Sequence, residues 1–96
     1  MESKFQSKLI RSLKDRFGQV IVLKNDPTYI QGIPDLLVLY NNKWAALECK
    51  DSQKARHRPN QNYYISKMDQ MSFAAFIYPE NYEEVLDELT KFFMAR

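Results

Sequence analysis

The chain has 96 residues, of which 45% are hydrophobic and 14% aromatic, enough for one small domain with its own core and too many for a disordered tail. The 14 basic and 12 acidic residues leave a formal net charge of +2, a balance that by itself selects no partner. A single cysteine, Cys49, excludes an intrachain disulfide, and no apolar run approaches the roughly 20 residues of a membrane-spanning helix.

The first residues, MESKFQSKL, are polar and do not read as a signal peptide, so an intracellular protein is expected. Over residues 2–17 the spacing is helical: Phe5, Leu9, Leu13 and Phe17 share one face, with Ile10 beside them. Gly18 is placed to end that helix. QVIVLK (19–24) reads as a short strand and NDPTYIQG (25–32) as a loop, marked by its Asp-Pro step and glycine. PDLLVLY and KWAALECK then read as two strands. Asn41-Asn42 between them suits a type I′ turn, because Asn tolerates positive φ.

KDSQKARHR (50–58) is the densest basic stretch of the chain. After it, Pro59 suits the first turn of a helix running to about Met71, with Tyr64, Ile65, Met68 and Met71 as its apolar stripe. SFAAFIY (72–78) reads as a fully buried strand. Asn81 with Glu84 three residues on has the pattern of a capping box, opening a helix that buries Tyr82, Val85, Leu86, Leu89, Phe92 and Phe93. The predicted fold is a single α/β domain over residues 1–96 with the order α-β-β-β-α-β-α, a mixed four-stranded sheet flanked by helices.

The hairpin poses a problem at its open end. With Asn41 and Asn42 as the loop, Tyr40 faces Lys43, Leu37 faces Ala46, and Asp35 faces Glu48. Directly opposed residues share a face of the sheet, so two carboxylates would stand side by side and repel. Lys50, two residues beyond Glu48, projects from that face as well. Three readings are open: the strand ends are simply solvated, Lys50 neutralises one carboxylate in a structural ion pair, or the pair holds a divalent cation. Hard cations such as Mg²⁺ favour oxygen ligands and keep several waters. Cys49, between Glu48 and Lys50, reads as a packed small residue rather than a nucleophile.

GIPDLL followed after a hairpin by ECK resembles the Asp…Glu-x-Lys signature of the PD-(D/E)xK nuclease superfamily, whose restriction-endonuclease-like core has the element order read above. More narrowly, residues 2–78 resemble the VRR-NUC family, whose small stand-alone members are often phage-encoded. The resemblance implies a Mg²⁺- or Mn²⁺-dependent endonuclease that hydrolyses phosphodiester bonds in DNA. Asp35 and Glu48 would be metal ligands together with the Cys49 backbone carbonyl, and Lys50 would activate water. It also matches Glu2 to an acidic residue of the first helix, an additional metal ligand, against the alternative of a solvated terminus. Gln61 matches a glutamine early in the following helix that orients water or phosphate; a helix-capping or core-edge amide is the alternative.

Lys54, Arg56, His57 and Arg58 follow Lys50 directly and are candidates for phosphate contacts. Lys24, Asn25 and Tyr29 are placed to line the same cleft. The chain shows no zinc-finger spacing, no RNP-like aromatic motif and no helix-turn-helix, which favours recognition of shape over sequence. The wider similarity to Holliday-junction resolvases implies branched DNA and a homodimer, and one of the adjacent Phe92 and Phe93 is a candidate for a subunit interface. The alternative is a non-catalytic DNA-binding or assembly module on a nuclease fold.

Overall fold

The computed structural model describes residues 3–96; Glu2 therefore lies outside the described residues. Helix α1 spans Lys4–Phe17 and starts at Ser3, whose side chain accepts a hydrogen bond from the Gln6 N–H at 3.0 Å, satisfying one of the donors a helix start leaves open. It ends at Gly18, whose φ of 46° is a left-handed value that glycine adopts without a Cβ clash. Strands β1 (Ile21–Lys24), β2 (Leu36–Tyr40) and β3 (Lys43–Cys49) follow, then α2 (Pro59–Met71), β4 (Phe73–Ile77) and α3 (Tyr82–Met94). The order is the α-β-β-β-α-β-α of the sequence reading.

The four strands form one mixed sheet in the order β1-β2-β3-β4. β1 pairs antiparallel with β2, and β2 with β3; β3 pairs parallel with β4, with α2 as the crossover. The hairpin register is the expected one, with Tyr40 opposite Lys43 and Leu36 opposite Leu47. Its turn differs. Only Asn41 has positive φ (54°), whereas a type I′ turn needs it at both central residues.

One face of the sheet carries the core. Leu36, Val38, Ala45, Leu47 and Ile77 are buried there against Leu9, Leu13 and Phe17 of α1 and Val85, Leu86, Leu89 and Phe93 of α3. Each fully buried Leu or Ile contributes about 1.5–3 kcal/mol relative to exposure. The other face is covered by α2, which packs on β3 and β4. A single helix cannot seal that face. Tyr64, Ile65 and Met68 are therefore only half-buried, Met71 is exposed, and the expected stripe buries no residue completely.

Two further expectations are corrected. β4 is not fully buried: as an edge strand it leaves Phe73 and Ala75 on the core face and Phe76 on the half-covered face with partial exposure. Asn81 does not form a capping box. Its Oδ1 accepts from the Tyr78 N–H at 2.8 Å and its Nδ2 donates to the Phe76 carbonyl at 3.0 Å. The side chain is thus spent closing the 3₁₀ turn Pro79–Asn81 that leads into α3. Phe93 is buried against Phe17 and Tyr40, and Phe92 packs partly buried on Phe73. Both phenylalanines thus belong to the core edge of this chain. Among the described residues no helix is long and apolar enough to cross a membrane.

Candidate active site

The open end of the hairpin is closed by side chains where the ladder stops. Strand pairing ends at Leu36 opposite Leu47, and the next two residues bond through their carboxylates. Glu48 Oε1 accepts from the Asp35 N–H at 3.1 Å, and Asp35 Oδ2 accepts from the Cys49 N–H at 2.9 Å. Each carboxylate is thereby fixed by the other strand's backbone. Asn25 holds the same end from the β1 side: its N–H donates to the Asp35 carbonyl at 2.9 Å and its Nδ2 to the Pro34 carbonyl at 2.7 Å.

Lys50 and Gln61 complete the group. Gln61, in the first turn of α2, donates from Nε2 to Glu48 Oε2 at 3.1 Å. Its Oε1 accepts from Lys50 Nζ at 2.6 Å and from the Arg58 N–H at 3.1 Å. The last of these caps the helix, as the alternative reading of Gln61 had it, while the same side chain joins Glu48 to Lys50. Lys50 Nζ lies 3.8 Å from Glu48 Oε2 and donates to the Arg56 carbonyl at 3.1 Å. Asp35, Glu48 and Gln61 line a cleft of about 430 Å³, whose walls are Pro27, Gln31, Gly32 and Ile33 on one side and Arg58, Pro59 and Asn60 on the other.

The electrostatics follow from this packing. Burial first, and then the neighbouring Asp35 charge, push the Glu48 carboxyl up to about 7, with Lys50 and the Asp35 N–H pulling the other way. Asp35 is also raised, chiefly by burial, against the opposing pull of the Cys49 hydrogen bond and the Lys50 charge. Two acids that resist ionisation in one cleft are the condition a cation relieves. Burial, followed by the charge of Asp35, pushes the Cys49 thiol up to about 12, so it is no nucleophile at neutral pH.

The donor set fits a hard divalent ion. Both carboxylates line the cleft, and Cys49, whose N–H donates to Asp35 Oδ2, carries the backbone carbonyl next to them. Among the described residues no group of three or more His, Cys, Asp and Glu side chains comes together. Two carboxylates, one carbonyl and water make a Mg²⁺- or Mn²⁺-type ligand set, not the nitrogen and sulfur set of zinc.

The basic loop is pinned rather than loose. Besides the Lys50 and Arg58 bonds, the Gln53 N–H donates to Glu80 at 3.1 Å. His57 stacks on Phe76, with ring centroids 3.8 Å apart and planes 17° from parallel. Lys54, Arg56 and Arg58 are exposed, and Arg58 reaches the cleft wall. Lys24 is exposed at the end of β1, opposite Leu36; it lies at the Asp35 end of the sheet but shares the face of Leu36, not that of Asp35 and Glu48. Tyr29 is exposed on the loop that forms the other wall. Sequence reasoning missed the seam between these walls. Gly32, at φ 87°, lies so close to Asn60 that a methyl group in place of its hydrogen would sit 2.3 Å from the Asn60 Cβ. No spacing in the sequence pairs these two residues; the only cue is the glycine before Ile-Pro-Asp.

Compared with family models, curated proteins and solved structures, the chain matches none.

Proposed function

We propose that the protein is a Mg²⁺- or Mn²⁺-dependent endonuclease that hydrolyses phosphodiester bonds in DNA. One observation carries this reading: Asp35, Glu48, Lys50 and Gln61 meet in a single hydrogen-bonded cluster at a cleft with a basic rim. Asp35, Glu48 and the Cys49 carbonyl would hold the ion. Bound there, it would acidify a water and neutralise charge on a phosphoryl oxygen.

The remaining chemistry belongs to the chain. Lys50 is held by Gln61 and the Arg56 carbonyl, with its ammonium beside Glu48 and Gln61, both of which line the cleft. There it can hydrogen-bond an attacking water or a phosphoryl oxygen as charge develops. Gln61 positions Lys50 and Glu48 together. Arg58, Arg56 and Lys54 supply charge for the flanking phosphates. The preference for branched DNA and a homodimeric state rests on the family resemblance alone.

The test is cleavage of supercoiled plasmid and of a synthetic four-way junction with Mg²⁺, Mn²⁺ or EDTA. Cutting with either metal and none with EDTA is expected. A closed Lys50–Gln61–Glu48 network could also serve a binding module that cuts nothing. Isothermal titration separates the two: DNA affinity without binding of Mg²⁺ or Mn²⁺ favours that module.

A further inference from the structure

Tyr29 is the most exposed large aromatic among the described residues, at 84%. The loop that carries it is nonetheless rigidly built. The Asp26 carboxylate accepts from the Thr28 N–H at 2.8 Å and from its hydroxyl at 2.6 Å. The N–H groups of Tyr29 and Ile30 donate to the Asp26 carbonyl at 3.2 and 3.4 Å, and that of Ile33 to the Ile30 carbonyl at 3.3 Å. Pro27 fixes its own φ. Asn25 ties one end of the loop to Pro34 and Asp35, and Gly32 wedges the other against Asn60. Ordering a loop to hold an aromatic ring in water gives the fold no burial. It does give a ligand a pre-organised flat surface at little further entropic cost.

The position of the ring names the ligand. Pro27, Gln31, Gly32 and Ile33, on both sides of Tyr29 in the chain, line the same cleft as Asp35 and Glu48. Across that cleft stand Arg58 and the start of α2. Tyr63, 58% exposed, stands one helical turn beyond Asn60 on α2 but packs edge-on against Tyr64 and borders a separate groove with Ser66, Lys67 and Gln70. The loop that carries Tyr29 thus forms one wall of a cleft that holds paired carboxylates and a basic rim.

We propose that Tyr29 stacks on an unpaired base beside the phosphodiester held in the cleft. The substrate is then a nucleic acid with unpaired nucleotides at the cut. This deepens the nuclease reading and rests on it. A base inside a duplex already has both faces stacked, whereas an unpaired base offers a free π-face to an aromatic side chain. The arginines and Lys54 take the phosphates, and Tyr29 takes the base.

The probe is a 12-nucleotide single strand carrying 2-aminopurine near its centre, compared with the same strand in a duplex, both in EDTA so that no hydrolysis intervenes. The expected result is tighter binding of the single strand, with a change in 2-aminopurine emission on binding. Tyr29→Ala should weaken single-strand binding roughly 5- to 150-fold, the range of one lost base stack, and leave duplex binding within twofold. Tyr29→Phe keeps the ring and should bind as the parent does. Equal affinity of Tyr29→Ala and the parent for the single strand overturns the proposal, even if the protein cuts DNA. No binding of either probe overturns both the stacking and the nuclease reading. Intact stacking in a protein that cuts nothing supports the base platform and leaves only the catalytic reading to fail.

Discussion

Asp35 donates its backbone N–H to the Glu48 carboxylate over 3.1 Å, and the Asp35 carboxylate takes the N–H of Cys49, the residue after Glu48, over 2.9 Å. The pair thus extends the hairpin ladder by one rung with side chains in place of carbonyls. The fold gains two hydrogen bonds and keeps two acids close together. That cost sets the first prediction.

Glu48 in the folded chain titrates at about 7, above its ordinary 4.5. A raised carboxyl binds more protons folded than unfolded. Stability is therefore fullest below the unfolded pKa, falls between about pH 4.5 and 7, and levels off above. The total loss is on the order of 3 kcal/mol from this group, and Asp35 shifts in the same direction. Urea unfolding of the parent and of Glu48→Gln at pH 5 and pH 8 checks this. The parent should lose more stability than the variant between the two. Millimolar Mg²⁺ or Mn²⁺ at pH 8 should restore part of the loss in the parent only. Equal pH dependence in both chains would contradict the assignment.

Lys50 is held at three points, and removing its ammonium leaves the carboxylates in place. Lys50→Ala should lower the metal-dependent cleavage rate about 10²- to 10³-fold, the scale of one lost transition-state donor. DNA affinity measured in EDTA should stay within a few-fold. A variant that cuts as fast as the parent sinks the catalytic role of Lys50.

Much of this site was legible because a two-residue turn fixes a register. Counting outward from Asn41-Asn42 sets Asp35 against Glu48 whichever turn type closes the loop, so the misread turn did no harm. The helices were legible where a face is truly buried, as at Leu9, Leu13 and Phe17. Reading failed where a side chain serves a partner other than the one its local pattern names. Asn81 had the pattern of a cap, yet its amide bonds Phe76 and Tyr78. The stripe of α2 was real, but the number of helices sharing its face of the sheet is a tertiary fact. His57 reads as a basic-loop residue, and only the parallel pairing of Glu48 with Phe76 brings its stacking partner to that face.

The two glycines separate conformational strain from contact. Gly18 has φ 46° and nothing within 4 Å of a would-be Cβ. Gly18→Ala should cost only the strain of its positive φ, about 1–3 kcal/mol. Gly32→Ala adds overlap with the Asn60 backbone and should cost about 2–4 kcal/mol in chemical denaturation. It should also lower cleavage, because the displaced start of α2 carries Gln61. Equal costs at the two positions would remove the seam from the account.

The basic loop can be dissected by salt. Single replacements of Lys54, Arg56 and Arg58 by Ala should each weaken duplex DNA binding and lower the slope of log K against log salt by about 0.9 per lost phosphate contact. His57 is different, because its ring is stacked on Phe76. If it positions the loop, His57→Phe should preserve affinity, and His57→Ala should lose affinity with little change of slope. A slope that falls equally in both His57 variants would instead make the imidazole a phosphate ligand in its own right. Fluorescence anisotropy of a labelled duplex between 50 and 300 mM KCl measures all five variants on one scale.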